Sequence, residues 1–232
     1  DMYELEQTVG VFFLEQKPKE TAVLLAGKRA GKMFHVPDGA WTDEERKTAL
    51  DEITAHDRIR LYDSFGVCEW DTVKANIEYM HHADGIEIFY IDHLTALATG
   101  QGTDERVELE RITAAIAMLA KRLNVIITMV SHLATPEGKP HEEGGRVTIR
   151  HFKGSRAIGF WCHFMFGLER NQQAEDLVER QTTTFRILKD RYTGQSTGMT
   201  IPLNYNHETG KLFQANPFDV APALVGGYDT PF

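Results

Sequence analysis

The sequence predicts an α/β fold in which a mostly parallel sheet is flanked by helices and continued by a C-terminal antiparallel extension. Short runs rich in Val, Ile, Phe and Tyr alternate with helix-length amphipathic stretches, as in a parallel sheet built from crossover connections. After residue 133 that alternation stops, and three β-like stretches follow a long Pro- and Gly-punctuated loop. With 232 residues, 42% of them hydrophobic and 25% charged, the chain can fill one sizeable core but hardly two.

The first strand is predicted at Val9–Leu14, and others at Ile59–Phe65, Ile86–Ile91 and Val125–Val130. Between them, Thr42 and Glu45 form a capping-box pattern that opens a helix over Asp43–His56. A second helix is expected at Trp70–His81. Leu109, Ile112, Ile116, Leu119 and Leu123 recur at spacings of three and four, so Asp104–Arg122 reads as a helix with one buried stripe. Thr103 is the expected cap, with Asp104 and Glu105 suited to the positive end of the helix dipole.

Pro136, Gly138, Pro140, Gly144 and Gly145 mark the long loop, of a length that is usually either functional or disordered. The later β-like stretches are Phe164–Leu168, Thr182–Lys189 and Met199–Tyr205. Residues 1–214 are read as one domain and 215–232, "ANPFDVAPALVGGYDTPF", as a flexible tail. The opening "DMYELEQTVGVFFLEQ" reads as the end of a helix running straight into a strand, so a fragment of a longer polypeptide is expected.

Composition narrows the function. A net charge of −9 and a pI near 5.6 give no global attraction to nucleic acid, so any such contact must be local. Cys68 and Cys162 are too few for a disulfide framework, and no apolar run reaches the roughly 20 residues that span a bilayer. A soluble protein of the cytoplasm, with no membrane partner, is the expectation.

Three strand ends carry polar chemistry: Glu15 after "VGVFFL", Asp92 after "IEIFYI" and His132 after "VIITMVS". Ligands of an open parallel sheet bind outside the carboxyl ends of its strands, so the three could share one crevice. A strand-end acid can equally be the first solvated residue of a turn. Three in succession favour chemistry. Asp92 would then hold Mg2+ against the phosphates of a nucleotide, Glu15 would take a proton from the attacking water, and His132 would sense the γ-phosphate. Lys189 and Arg191 alternate along "FRILKDRY" and so face one side, either as an exposed strand edge or as a lysine and an arginine finger reaching a neighbouring subunit.

"FFLEQ", "FYIDHLTAL", "VSHL…HEEG", "GSRAIGFWCHFMFGLERNQQ", "RILKDRYTG" and "YNHETGKL" occur in this order between Val9 and Leu212. The ordered set resembles hexameric replicative helicases of the DnaB superfamily, most of all the helicase half of the primase-helicases of small tailed phages. The resemblance implies a RecA-like fold, a ring of identical subunits around single-stranded DNA, and unwinding driven by ATP or dTTP hydrolysis with Mg2+. Carried over position by position, it makes Glu15 the catalytic base, Asp92 the metal acid and His132 the phosphate sensor. Lys189 and Arg191 fall on residues that act in trans, and Arg170 and Tyr205 on the pair that sandwiches the base.

DNA-facing loops are expected at Ala98–Thr103, Leu133–Gly145 and Phe152–Gly159. Lys139, Arg146, Arg150, Lys153 and Arg156 lie in or beside the last two, and their phosphate contacts would be salt-sensitive and independent of sequence. The chain departs from the pattern at Gly159 and Phe160, where relatives carry a polar pair linking phosphate state to the DNA loop. It also lacks a phosphate-binding Gly-Lys-Ser/Thr loop, expected upstream of Asp1, so this stretch alone is expected to bind nucleotide poorly. The ending "GGYDTPF" resembles tails that dock helicases onto a replicative polymerase. A recombinase or clock-type ATPase of the same fold, and a non-catalytic assembly module, are the competing readings.

Overall fold

The computed structural model describes residues 7–37, 39–55, 57–64, 68–99 and 104–215. Its first sheet is entirely parallel, built from β1 (Val9–Phe13), β2 (Ile59–Leu61), β3 (Ile88–Asp92) and β4 (Ile126–Met129) in the order β2-β1-β3-β4. The helices between them are α1 (Pro18–Ala30), α2 (Asp43–Ala55), α3 (Trp70–Asp84), α4 (Leu94–Ala98) and α5 (Glu105–Leu123). The second sheet is antiparallel: β5 (Phe164–Glu169), β6 (Thr182–Asp190), β7 (Thr200–Tyr205) and β8 (Leu212–Gln214), in chain order. Parallel sheet, flanking helices and antiparallel extension match the expected class.

Burial explains the first sheet. Phe12, Phe89 and Ile91 from its strands, with Leu14 just beyond β1, are sealed against Val73 and Ile77 of α3 and the stripe Leu109, Ile112, Ile116, Leu119 and Leu123 of α5. Gly10 permits the closest approach, since a Cβ there would lie 2.6 Å from the Phe89 ring. A smaller cluster, Ala26, Phe34, Ala49 and Ile53, fastens α1 to α2. The predicted capping box is present: the Glu45 carboxylate accepts from the Thr42 amide at 2.7 Å, and the Thr42 hydroxyl accepts from the Glu45 amide at 3.2 Å.

Several boundaries differ from the sequence reading. β2 stops at Leu61 instead of Phe65, and residues 65–67 lie outside the described residues. The cap of α5 is Asp104, whose carboxylate accepts from the Arg106 amide at 2.9 Å; Thr103 lies outside the described residues. The stretch expected as the loop Phe152–Gly159 is in large part helix, because Gly154 turns the chain at φ 73° and Ala157 and Ile158 of α6 (Ser155–Trp161) then bury themselves beside α5. α1, α7 (Leu177–Gln181) and β8 were not anticipated. Residues 216–232, holding nearly all of the expected tail, and residues 100–103 of the first expected DNA loop lie outside the described residues.

The loop from 131 to 148 has no regular element but is built. Gly145 returns to Pro140 through its amide at 2.9 Å, and the His141 ring lies 4.8 Å from that of His151. β4 and β5 are edge strands of their sheets, with Ile126, Val130, Phe164, Phe166 and Leu168 exposed. Among the described residues no helix is long and apolar enough to cross a membrane.

Candidate functional site

Parallel pairing sets β1, β3 and β4 side by side with their carboxyl ends level. Phe13 pairs with Asp92, the Leu14 amide donates to the Asp92 carbonyl at 2.7 Å, and the Leu94 amide donates to the Val130 carbonyl at 2.9 Å. Glu15, Asp92 and His132, read from three separate strand ends, therefore face one crevice.

What joins them is His93. Its Nε2 lies 2.8 Å from Glu15 Oε1, while its Nδ1 accepts from the Ala96 amide at 3.2 Å and so caps the short α4. Thr95 Oγ1 sits 2.5 Å from the same Nδ1 and 3.4 Å from His132 Nδ1, and the two imidazole rings are 3.9 Å apart, tilted by 32°. His93 and Thr95 are buried, whereas Glu15 and His132 are exposed at the crevice. Because Nδ1 accepts a main-chain N–H, the His93 proton resides on Nε2 and is donated to Glu15.

Asp92 occupies the last position of β3, half-buried. Burial, then the negative charge of Glu15, pushes its carboxyl above the usual range, and His93 and His132 only partly oppose this. Among the described residues no lysine or arginine is paired with it. A carboxylate destabilised in this way, beside a second carboxylate and open to the crevice, fits a divalent hard cation, which takes oxygen ligands. Glu15, His93 and His132 also bring ligand atoms within 4.8 Å of one another. That trio suits a metal less well, since the proton on His93 Nε2 occupies the ligating lone pair.

Lys189 and Arg191 do reach one side, as their alternation predicted, and they reach the same helix end. Lys189 Nζ donates to the carbonyls of Gly159 at 2.5 Å and Cys162 at 2.8 Å, and Arg191 Nη2 to that of Phe160 at 2.6 Å. These are C-terminal carbonyls of α6, where cations are favoured. Burial, then the neighbouring Arg191, holds the Lys189 ammonium below its ordinary pKa. Asp190 between them accepts from the Thr193 hydroxyl and amide and from the Ser196 hydroxyl, which hold its carboxyl far below the usual range, and from the Tyr192 amide at 3.0 Å, which helps fix the turn that follows.

Arg170 and Tyr205 are not brought together. Arg170 Nε donates to the Arg180 carbonyl at 2.8 Å, while the Tyr205 ring lies 5.6 Å beneath the Lys28 ammonium and its hydroxyl meets Met33. The basic residues Lys139, Arg146, Arg150, Lys153 and Arg156 are all exposed. Their segments are tied directly to the crevice: the Lys153 amide donates to the His132 carbonyl at 3.0 Å, the Ala134 amide to the His151 carbonyl at 2.6 Å, and Leu133 bridges Phe152.

Sequence reasoning missed His93 and Thr95. The "DH" that ends the β3 run was a signal, but their partners lie 78 and 37 positions away.

No protein-family model matches the chain. It is similar to the DNA helicase/primase of Enterobacteria phage T3, 35% identical over 212 residues, or 88% of this chain. The chain spans 36% of that relative's length. Among solved structures, one ATPase domain superposes with a TM-score of 0.74 at 18% identity, covering 93% of this chain and 77% of that one. A DnaB-like replicative helicase, solved with its interactions with primase, gives 0.72 at 17% identity over 91% and 52% of the two chains. At these identities the structural likeness establishes the fold, which is that of RecA-like helicase ATPase domains.

Proposed function

We propose that the chain, a helicase domain of the DnaB type, supplies the crevice at which the full-length polypeptide hydrolyses ATP or dTTP to drive a ring of identical subunits along single-stranded DNA. The observation that carries this reading is the meeting of Glu15, Asp92 and His132 at adjacent carboxyl ends of β1, β3 and β4. Mg2+, when bound, would neutralise charge on the β- and γ-phosphates. Asp92 is the residue placed to hold it. Glu15 orients the attacking water and takes its proton, and general-base assistance of this kind contributes roughly 10²–10⁴-fold.

His132 hydrogen-bonds the γ-phosphate and loses that partner on hydrolysis. Its main chain is laddered to residues 151–153, so the change passes to the basic segment carrying Lys153 and, beyond it, Arg156. This ladder supplies a route where Gly159 and Phe160 replace the polar pair of relatives. Lys139, Arg146, Lys153 and Arg156 contact DNA phosphates. Arg170 and Tyr205 sandwich the nucleotide base after rearrangement from their present partners, and Lys189 and Arg191 complete the neighbour's site. Docking of a replicative polymerase on "GGYDTPF" belongs to this reading as well; deleting Asp229–Phe232 should weaken that binding.

Glu15→Gln in the full-length polypeptide tests the assignment. We expect nucleotide affinity to stay within about twofold while kcat falls by roughly 10²–10⁴. An unchanged kcat would remove Glu15 as the base.

A further inference from the structure

We propose that His93, backed by Thr95, is the positioning residue that holds Glu15 in the orientation needed to accept the water's proton; the proposal rests on Glu15 being the base. Glu15 stands at the end of β1 with its side chain 59% exposed, and its one hydrogen bond among the described residues is the 2.8 Å bond from His93. A carboxylate so placed would otherwise sample several rotamers. Orientation of a reacting group to within about 1 Å is worth up to roughly 10²-fold in rate.

The ring that does the holding is itself fixed. His93 is only 7% exposed, its Nδ1 is occupied by the Ala96 amide and the Thr95 hydroxyl, and one face packs on the His132 ring. The Thr95 hydroxyl has one proton. At 2.5 Å it is given to His93 Nδ1, and Thr95 Oγ1 also lies 3.4 Å from His132 Nδ1. The donors thus run in one direction, from Thr95 through His93 to the Glu15 carboxylate. Hydrogen bonds aligned head to tail strengthen one another, and this polarity keeps Glu15 an acceptor. Ring packing and the Thr95 contact also set the residue that would sense the γ-phosphate beside the base that takes the water's proton.

A structural role, capping α4 through Nδ1, is the competing explanation for His93. His93→Asn separates the two, because an asparagine side chain is a good N-cap acceptor but is too short to reach Glu15. In the full-length polypeptide, single-turnover hydrolysis and binding of a non-hydrolysable nucleotide are measured for His93→Asn, Glu15→Gln and the double variant. The expected result is a kcat loss of roughly 10–100-fold for His93→Asn with KM within about twofold. In the Glu15→Gln background the same change should cost little more, because a residue that acts through Glu15 has nothing left to position. Thr95→Val should give a smaller loss of the same kind. Equal fractional losses in both backgrounds, a loss confined to KM or to melting temperature, or an unchanged kcat would overturn the proposal. If Glu15→Gln is crippled and His93→Asn is not, positioning alone fails; if Glu15→Gln is fully active, the base assignment fails and the proposal with it.

Discussion

Lys153 donates its main-chain amide to the carbonyl of His132 at 3.0 Å, so an exposed cation and a strand-end imidazole share one backbone ladder. The exposed Lys153 side chain can reach a phosphate while its main chain stays fixed to the crevice. Lys153→Ala should therefore weaken single-stranded DNA binding equally for all sequences. Each lost phosphate contact reduces the slope of log K against log salt by about 0.7 for single strands. Anisotropy titrations between low and moderate salt should show that reduction, and an unaltered slope would place Lys153 off the DNA path.

Arg191 and Lys189 rest on the C-terminal carbonyls of α6 within one chain, and the proposed mechanism lifts them onto a neighbour's phosphates. The two arrangements predict different behaviour in mixed assemblies. Glu15→Gln and Arg191→Ala subunits should each be nearly inactive alone, the latter by roughly 10³-fold or more if Arg191 serves as an arginine finger. When the two are mixed, interfaces pairing an intact Glu15 with an intact Arg191 form again, and hydrolysis should recover in part. A role within one chain predicts no recovery at any mixing ratio.

Much of this was legible before the structure. The four parallel strands lie within a few residues of their apolar runs, β1 buried over most of its length and β3 at alternate residues while β2 and the edge strand β4 are only partly covered, and the α5 stripe is buried as its periodicity required. α6 was read as a loop because its seven residues carry Gly159 and follow Gly154, too short and too broken for a periodic signal. α1 carries no helical repeat of large apolar residues: its fully buried positions are Thr21, Ala26 and Gly27, and Val23 and Leu25, which pack partly buried on the small cluster, stand in one short apolar run. Glu15, Asp92 and His132 announced themselves by ending strands. The hydrogen bonds that organise them did not, since His93 and Thr95 gain their meaning from partners on other strands.

Arg186 grips Glu169 with two bonds, Nε to Oε1 at 2.7 Å and Nη2 to Oε2 at 2.9 Å, and Glu169 Oε1 also accepts the Val147 amide at 2.9 Å. Both side chains are largely buried, so Arg186→Ala would strand a carboxylate under the loop and should cost about 3–5 kcal/mol. Burial alone would raise the Glu169 pKa, but Arg186 and the Val147 amide outweigh it and hold the carboxyl below its usual range. A folded pKa depressed below the unfolded value of about 4.3 gives stability that is present above that value and lost as pH falls through the folded pKa. Urea unfolding at neutral pH and below pH ~4 should show this loss in the parent chain. Glu169→Gln should flatten that part of the profile.

Gly145 tests whether the built loop matters to function. A Cβ at this position would lie 2.1 Å from the Lys139 carbonyl oxygen and 2.7 Å from that of Pro140, both main-chain atoms that cannot swing aside. Gly145→Ala must therefore open the turn that returns the chain to Pro140, and overpacking of this kind costs roughly 1–3 kcal/mol. The parallel sheet does not depend on that turn, so the global transition should remain cooperative. The local consequences should be larger: faster proteolytic cleavage between residues 133 and 148, and weaker DNA binding as Lys139 and Arg146 lose their fixed positions. Normal protease resistance together with normal DNA affinity would show that the loop tolerates the added methyl and that its closed turn contributes nothing to binding.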